Sequence, residues 1–208
     1  SKGIYHLLYP LFYRNFRREF KRTQKTASYT FYICDELKNA YDKEFGGKSI
    51  VLYTATFLKP FDTAPHNNGF VTSYLGNLGV GRHEGLIEIA NTLQKISPDY
   101  FLDIYGKIPN DTVKIAFDNC VGIKYHGLIP YGEVIRVMEN SDLLVHTESF
   151  SEFYKEDLKF AFSTKIADCL ACGRCFLLYS PDNIASFKYL NLNKLAYTVS
   201  SKKELEKT

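Results

Sequence analysis

Tryptophan is absent from the 208 residues and methionine occurs once, so 16 phenylalanines and 16 tyrosines carry the aromatic content. No uncharged apolar run reaches the roughly 18–20 residues that a bilayer-spanning helix needs. The most apolar early stretch, residues 3–13, is short and holds Pro10. The start carries no small-residue cleavage site, so no signal peptide is expected. Five cysteines, an odd number, cannot form a complete disulfide framework. Cys169, Cys172 and Cys175 have a spacing used in iron–sulfur ligation, yet no fourth cysteine follows nearby. Their segment runs from helix through a glycine turn into strand, which would point the thiols apart. All five are therefore expected as buried or half-buried thiols of a reducing, cytoplasmic compartment. The histidines at 6, 66, 83, 126 and 146 show no metal-ligand spacing, and no Asp-x-Asp pair closes a strand. Neither a metal nor another cofactor is expected.

What is present is a globular composition, 45% apolar and 24% charged, which excludes a disordered tail or a fibre. The length allows one large domain or a domain with part of another. The formal charge of +3 hides a split: residues 1–25 hold seven basic side chains against Glu19 alone, so the rest of the chain is net acidic. Within that segment Tyr5, Tyr9, Phe12, Phe16 and Phe20 recur at helical spacing, with the arginines expected to turn away from them. One reading is a helix lying on an anionic membrane surface; the other is an ordinary amphipathic helix packed on a core. Nucleic acid is not an expected partner, because no binding motif accompanies the patch.

Downstream the text alternates. Residues 29–34 and 49–53 read as strands around a helix at 35–45, and 57–69 is rich in turn formers, the best linker candidate. From 70 on, strands at 70–75, 100–105, 122–126, 142–146, 175–179 and 195–199 alternate with helical patterns at 83–95, 112–117, 131–138, 165–171 and 184–189. A further helix starts at Lys202. This rhythm predicts an α/β fold, a Rossmann-like parallel sheet with helices on both faces.

In such sheets ligands bind beyond the carboxyl ends of the strands. Three places stand out. The loop from Gly76 through Asn77, Gly79 and Gly81 to Arg82 lies between a strand and a helix, where amides, helix dipole and a guanidinium favour an anion. It equally fits a tight turn, since its spacing is neither the dinucleotide fingerprint nor a P-loop. Glu148 follows the strand at 142–146 and could bind sugar hydroxyls, or be a solvated loop residue. Ser163 and Thr164 could cap the next helix, and Lys165 in its first turn suits a nearby diphosphate or is a surface lysine. His126 and His146 follow strands too and could line the cleft, with a structural or incidental role the readier account.

The succession YLGNLGVGR…LIEIANTL, DIYGK, IKYHGLIPYGEVIRVMENSDLLVHTESF and STKIADCLACGRCFLLYSP resembles the C-terminal half of the GT-B glycosyltransferases of family 4. The resemblance runs from residue 70 to the end and more weakly upstream. It implies three parts: residues 1–56 as the remnant of an N-terminal, acceptor-side domain, 57–69 as linker, and 70–208 as a nucleotide-sugar donor domain. It further implies a chain short at both ends, with the general base elsewhere. The family pairs two donor-site glutamates. Glu148 stands for the first, which touches the donor sugar. For the second, which touches ribose, Asp168 fits the helix context and Glu156 the literal spacing; the former makes 149–160 an insertion. Arg82 stands for the family's arginine, its later lysine is missing, and Lys165 is the substitute.

The expected activity is retaining transfer of a sugar from a UDP- or GDP-linked donor to a glycan or lipid-linked acceptor. The protein would be cytoplasmic, or peripheral on the cytoplasmic face of a membrane. A sugar-nucleotide epimerase of the same scaffold and a non-catalytic membrane-docking module are the alternatives.

Overall fold

The computed structural model describes residues 5–62, 64, 65 and 69–207, and of residues 5–9 the backbone alone. The side chains of Tyr5 and Tyr9, and His66 to Asn68 of the expected linker, lie outside the described residues. The chain divides into two compact units, Ser1–Thr54 and Ala55–Thr208.

The first unit runs α1 (Tyr5–Thr26), β1 (Thr30–Tyr32), α2 (Asp35–Phe45) and β2 (Ser49–Val51), with β1 and β2 parallel. Gly46 ends α2 at φ +72, a left-handed position that costs glycine little. Among the described side chains of the aromatic stripe of α1, Phe20 meets α2, packing edge-on against Tyr41 and Phe45. Phe12 and Phe16 are 62% and 59% exposed. The face that packs is a neighbouring one. Gln24 is buried with its amide donating to Tyr32 Oη at 2.9 Å. Arg17 does not turn away as expected: it pairs with Glu44 at 2.5 Å and its guanidinium lies over the Tyr13 and Phe45 rings. A helical period of 3.6 explains the difference, because steps of mostly four residues slide the stripe off the line through 13, 17, 20 and 24. One face of the short sheet, with Phe31, Ile33, Ile50 and Leu52, is exposed.

The second unit holds β3 (Thr72–Leu75), α3 (Arg82–Ile96), β4 (Leu102–Tyr105), α4 (Asp111–Asp118), β5 (Ile123–Gly127), α5 (Tyr131–Glu139) and β6 (Leu143–Thr147). It continues with α6 (Lys155–Leu158), α7 (Lys165–Ala171), β7 (Cys175–Tyr179), α8 (Ala185–Asn193), β8 (Tyr197–Val199) and α9 (Lys202–Leu205). The six strands are parallel and ordered β5-β4-β3-β6-β7-β8. That is the Rossmann-like α/β arrangement, whose strand order reverses between β3 and β6.

Side chains alternate across the sheet and build a core on each face. Tyr74, Ile104, Val145, Leu177 and Tyr179 pack with Leu86, Ile89, Ala90 and Leu93 of α3 and Phe117 of α4. Leu75, Leu144, Phe176 and Leu178 pack with Met138 of α5, Ile166 and Cys169 of α7, and Leu190 of α8. Four thiols are buried as expected, but Cys175 is exposed at the first position of β7.

Within residues 149–160, Glu152–Tyr154 forms a 3-10 turn leading into α6. The turn-rich stretch after β2 is partly docked. Thr56 Oγ1 donates to Asp168 Oδ1 at 2.6 Å, the Phe61 amide to the Cys172 carbonyl at 3.1 Å, and Leu58 and Phe61 pack on the second core.

Candidate functional site

Two chain segments leave the sheet where its order reverses, one after β3 and one after β6. The loop after β3 is held from several sides. The Gly76 amide donates to the Tyr105 carbonyl at 3.0 Å, the Gly79 amide to Asn77 Oδ1 at 2.8 Å, and the Tyr74 hydroxyl to the Asn77 carbonyl at 2.7 Å. The first two amides are thus already used, and Asn77 and Leu78 have none of these acceptors. The loop ends at Gly81, whose φ of +74 opens α3; a Cβ there would lie 2.5 Å from Ser149 Oγ. A Cβ at Gly106 would lie 2.1 Å from the Gly76 carbonyl oxygen, so the loops after β3 and β4 touch backbone to backbone.

Glu148, wholly buried just past β6, is the electrostatic centre. Its Oε2 lies 2.7 Å from Arg82 Nη2 and its Oε1 lies 3.1 Å from His146 Nε2. The Arg82 contact is a close ion pair without the alignment of a directed hydrogen bond, since neither Glu148 Oε2 nor Arg82 Nε finds a hydrogen-bond partner among the described residues. Arg82 therefore keeps unspent donors next to the loop. Burial by itself would push the Glu148 carboxyl up; His146 and Arg82 together outweigh it and hold the group below the usual carboxylate range. The His146 ring is stacked at 6.2 Å on Tyr74, whose hydroxyl burial pushes up.

These groups share one cavity of about 340 Å³, lined by Gly76, Asn77, Arg82, His146, Glu148 and the segment 161–165. Ser163, Thr164 and Lys165 all reach it; Ser163 Oγ accepts the Lys165 amide at 3.3 Å, while Thr164 makes no side-chain cap. A neighbouring cavity of about 500 Å³ shares Gly76, Asn77 and Lys165, and extends past Tyr105, Lys107 and Ile129 to Val134. The pair offers cations and amides at the junction and an apolar slot beside it, within the range of small-molecule sites.

Of the sequence-derived candidates, Gly76, Asn77, Arg82, Glu148, Ser163, Thr164 and Lys165 line this site, with Gly79 and Gly81 shaping its loop. Asp168 lies outside the lining of both cavities, in the first turn of α7 with its carboxylate engaged by Thr56. Glu156 is exposed on α6, also outside both. His126 pairs with Asp103 at 2.5 Å and stacks on Tyr105. His146 lines the cavity as well; Lys107, and the pairing of His146 with Glu148, were missed. Both carry a readable signal, one as a cation just past a strand, the other standing two residues from Glu148 on the same strand face.

No family model and no curated protein sequence matches the chain. Solved structures do. A glycosyltransferase from Rickettsia africae ESF-5 is 14% identical with a TM-score of 0.66, over 93% of this chain and 55% of that one. WaaG, a glycosyltransferase involved in lipopolysaccharide biosynthesis, is 14% identical with a TM-score of 0.68, over 96% and 58%. Anabaena Alr3699/HepE, solved in complex with UDP and glucose, is 14% identical with a TM-score of 0.63, over 93% and 56%. The chain spans a little over half the length of these proteins, and what it shares with them is the Rossmann-like fold.

Proposed function

We propose that this chain is the donor-binding part of a retaining glycosyltransferase that takes a UDP- or GDP-linked sugar. The observation that carries the reading is the cavity at the sheet's switch point, where Arg82, Lys165 and an ionised, buried Glu148 face one space. Transfer from a sugar nucleotide needs charge stabilised on the departing diphosphate, and a pre-organised site supplies it without reorganisation. Arg82, Lys165 and the loop amides would take that role, with Lys107 at the mouth of the apolar slot that would hold the nucleoside. Glu148, fixed in orientation by His146, would bind the donor sugar. Asp168 would reach ribose only by exchanging its Thr56 bond; Glu156 is the alternative carboxylate. No metal is part of this scheme.

In the same reading residues 1–56 are the end of an acceptor-side domain, 57–69 a linker and 70–208 the donor domain, the acceptor being a glycan or a lipid-linked saccharide. The bare apolar face of the β1–β2 sheet supports this, because parallel sheets ordinarily have both faces covered. The expected location is cytoplasmic, or peripheral on the cytoplasmic face of a membrane.

The test is calorimetric titration with UDP and GDP and their sugars. Binding at millimolar concentration or tighter is expected, weakened by about tenfold or more, or 1.4 kcal/mol, in Arg82→Ala and Lys165→Ala. No binding of either nucleotide, or full affinity in both variants, overturns the reading.

A membrane role for α1 is favoured by one specific observation: Leu11, Phe12, Tyr13 and Phe16 are exposed among arginines. Its check is sedimentation with anionic vesicles, where binding should fall with added salt and in Phe12→Ser/Phe16→Ser. Equal pelleting with neutral vesicles removes this role.

A further inference from the structure

The segment 149–160 and the loop after β7 enclose a second cleft at the same end of the sheet, about 350 Å³ in volume, to which the donor scheme gives no use. Its floor is apolar: Leu158 and Ile184 are buried, and Phe150 lies over the Tyr179 ring with centroids 4.6 Å apart. Its rim is polar, with Asp182 and Asn183 on one side and Glu152 and Lys155 on the other.

The walls are fixed before any ligand arrives. The Ala185 amide donates to the Lys159 carbonyl and the Ser186 amide to the Ala161 carbonyl, both at 3.3 Å, which ties the segment to the start of α8. Ser149 Oγ accepts the Ser151 amide at 3.1 Å, and Ser151 Oγ the Phe153 amide at 3.3 Å. Lys155 Nζ sits 3.0 Å from Glu152 Oε2. Asp182 and Asn183, by contrast, hold no hydrogen bond among the described residues, so a carboxylate and an amide stand ready at the rim of a rigid cleft.

An apolar floor with carboxylate and amide groups at the rim matches a pyranose, which shows C–H bonds on its faces and hydroxyls around its edge. The lining carries two carboxylates against one ammonium, a net negative charge that opposes a phosphorylated or uronic sugar. Its place also matters. Ser149, part of the lining, directly follows Glu148 and packs against Gly81, so the cleft opens beside the end of the donor cavity where the sugar would sit.

We infer that this cleft binds a neutral saccharide unit of the acceptor, with Asp182 and Asn183 holding its hydroxyls. The acceptor role rests on the donor reading above; the binding site itself does not. The probes are methyl glucoside and methyl N-acetylglucosaminide, with glucuronate as the anionic counterpart, followed by saturation-transfer NMR on the full chain while UDP affinity is measured separately. A neutral glycoside should give signals and glucuronate weaker ones. Asp182→Ala/Asn183→Ala should weaken the glycoside by about tenfold or more, with UDP affinity unchanged, and Asp182→Asn, which keeps an acceptor oxygen, should restore part of it. No signal from either glycoside, signals that survive the double variant, or a preference for glucuronate would each overturn the site. A glycoside signal with binding of neither UDP nor GDP overturns the acceptor role and the donor reading together, and leaves the saccharide site standing.

Discussion

Replacing Glu148 by alanine would remove the negative charge that pairs with Arg82 and His146. Its side chain is wholly buried and the Arg82 side chain is 13% exposed, so solvent cannot take over the lost pairing. Breaking a buried pair from one side costs about 3–5 kcal/mol, because the remaining charge stays in a poorly hydrated place. With a urea dependence of about 1–3 kcal/mol per molar, the unfolding midpoint should drop by roughly 1–5 M. Removing both charges is a different perturbation. Arg82→Met/Glu148→Leu leaves no orphan ion and loses chiefly the His146 hydrogen bond, a cost of about 1–2 kcal/mol. The double variant should therefore be more stable than Glu148→Ala, a reversal that simple deletion of contacts does not produce. Urea unfolding followed by far-ultraviolet circular dichroism reads it. A Glu148→Ala variant within about 1 kcal/mol of the parent, or a double variant as weak as the sum of its singles, would refute the account of a charge-compensated buried centre.

Three further outcomes are expected. Because Glu148 titrates below an ordinary carboxylate, its contribution is complete above the unfolded value near pH 4.3 and fades as pH falls through the lower folded one. The stability gap between the parent and Glu148→Gln should then narrow as pH falls below the unfolded value near 4.3, and a constant gap in urea midpoints speaks against it. Gly106→Ala forces a methyl group into the Gly76 carbonyl, so it should cost about 2 kcal/mol or more in melting experiments and lower UDP affinity through the shifted loop; a melting temperature like the parent's would contradict the close approach. In a thiol titration with a disulfide reagent Cys175 should react fast and the four buried cysteines only on unfolding, and Cys175→Ser should abolish the fast phase.

The fold was largely readable because its punctuation is local. The bounds of α2, α7 and β7 match the expected ones, each being set by a glycine or a cap within a few residues. β1, β2, β3, β4 and β8 are shorter than the runs expected for them, since a strand ends where its neighbour stops pairing, and a run of side chains does not show that. At the candidate site, position after a strand picks out Arg82 and Glu148, position in a helix's first turn picks out Lys165, and all three line one cavity. The Thr56–Asp168 bond was not readable, as it spans 112 residues and depends on where a turn-rich stretch comes to rest. Nor was the packed face of α1, where one residue of drift per few turns decides whether Phe16 or Arg17 meets the neighbouring helix.

That docked stretch has a practical consequence for anyone dividing the gene. A fragment opened at residue 70, where the strand rhythm begins, would discard Leu58 and Phe61 from the apolar layer over α7 and strip Asp168 of its hydroxyl partner. A fragment opened at Ala55 keeps all three, and its first seven residues are then the cover of a helix rather than a tether to be trimmed.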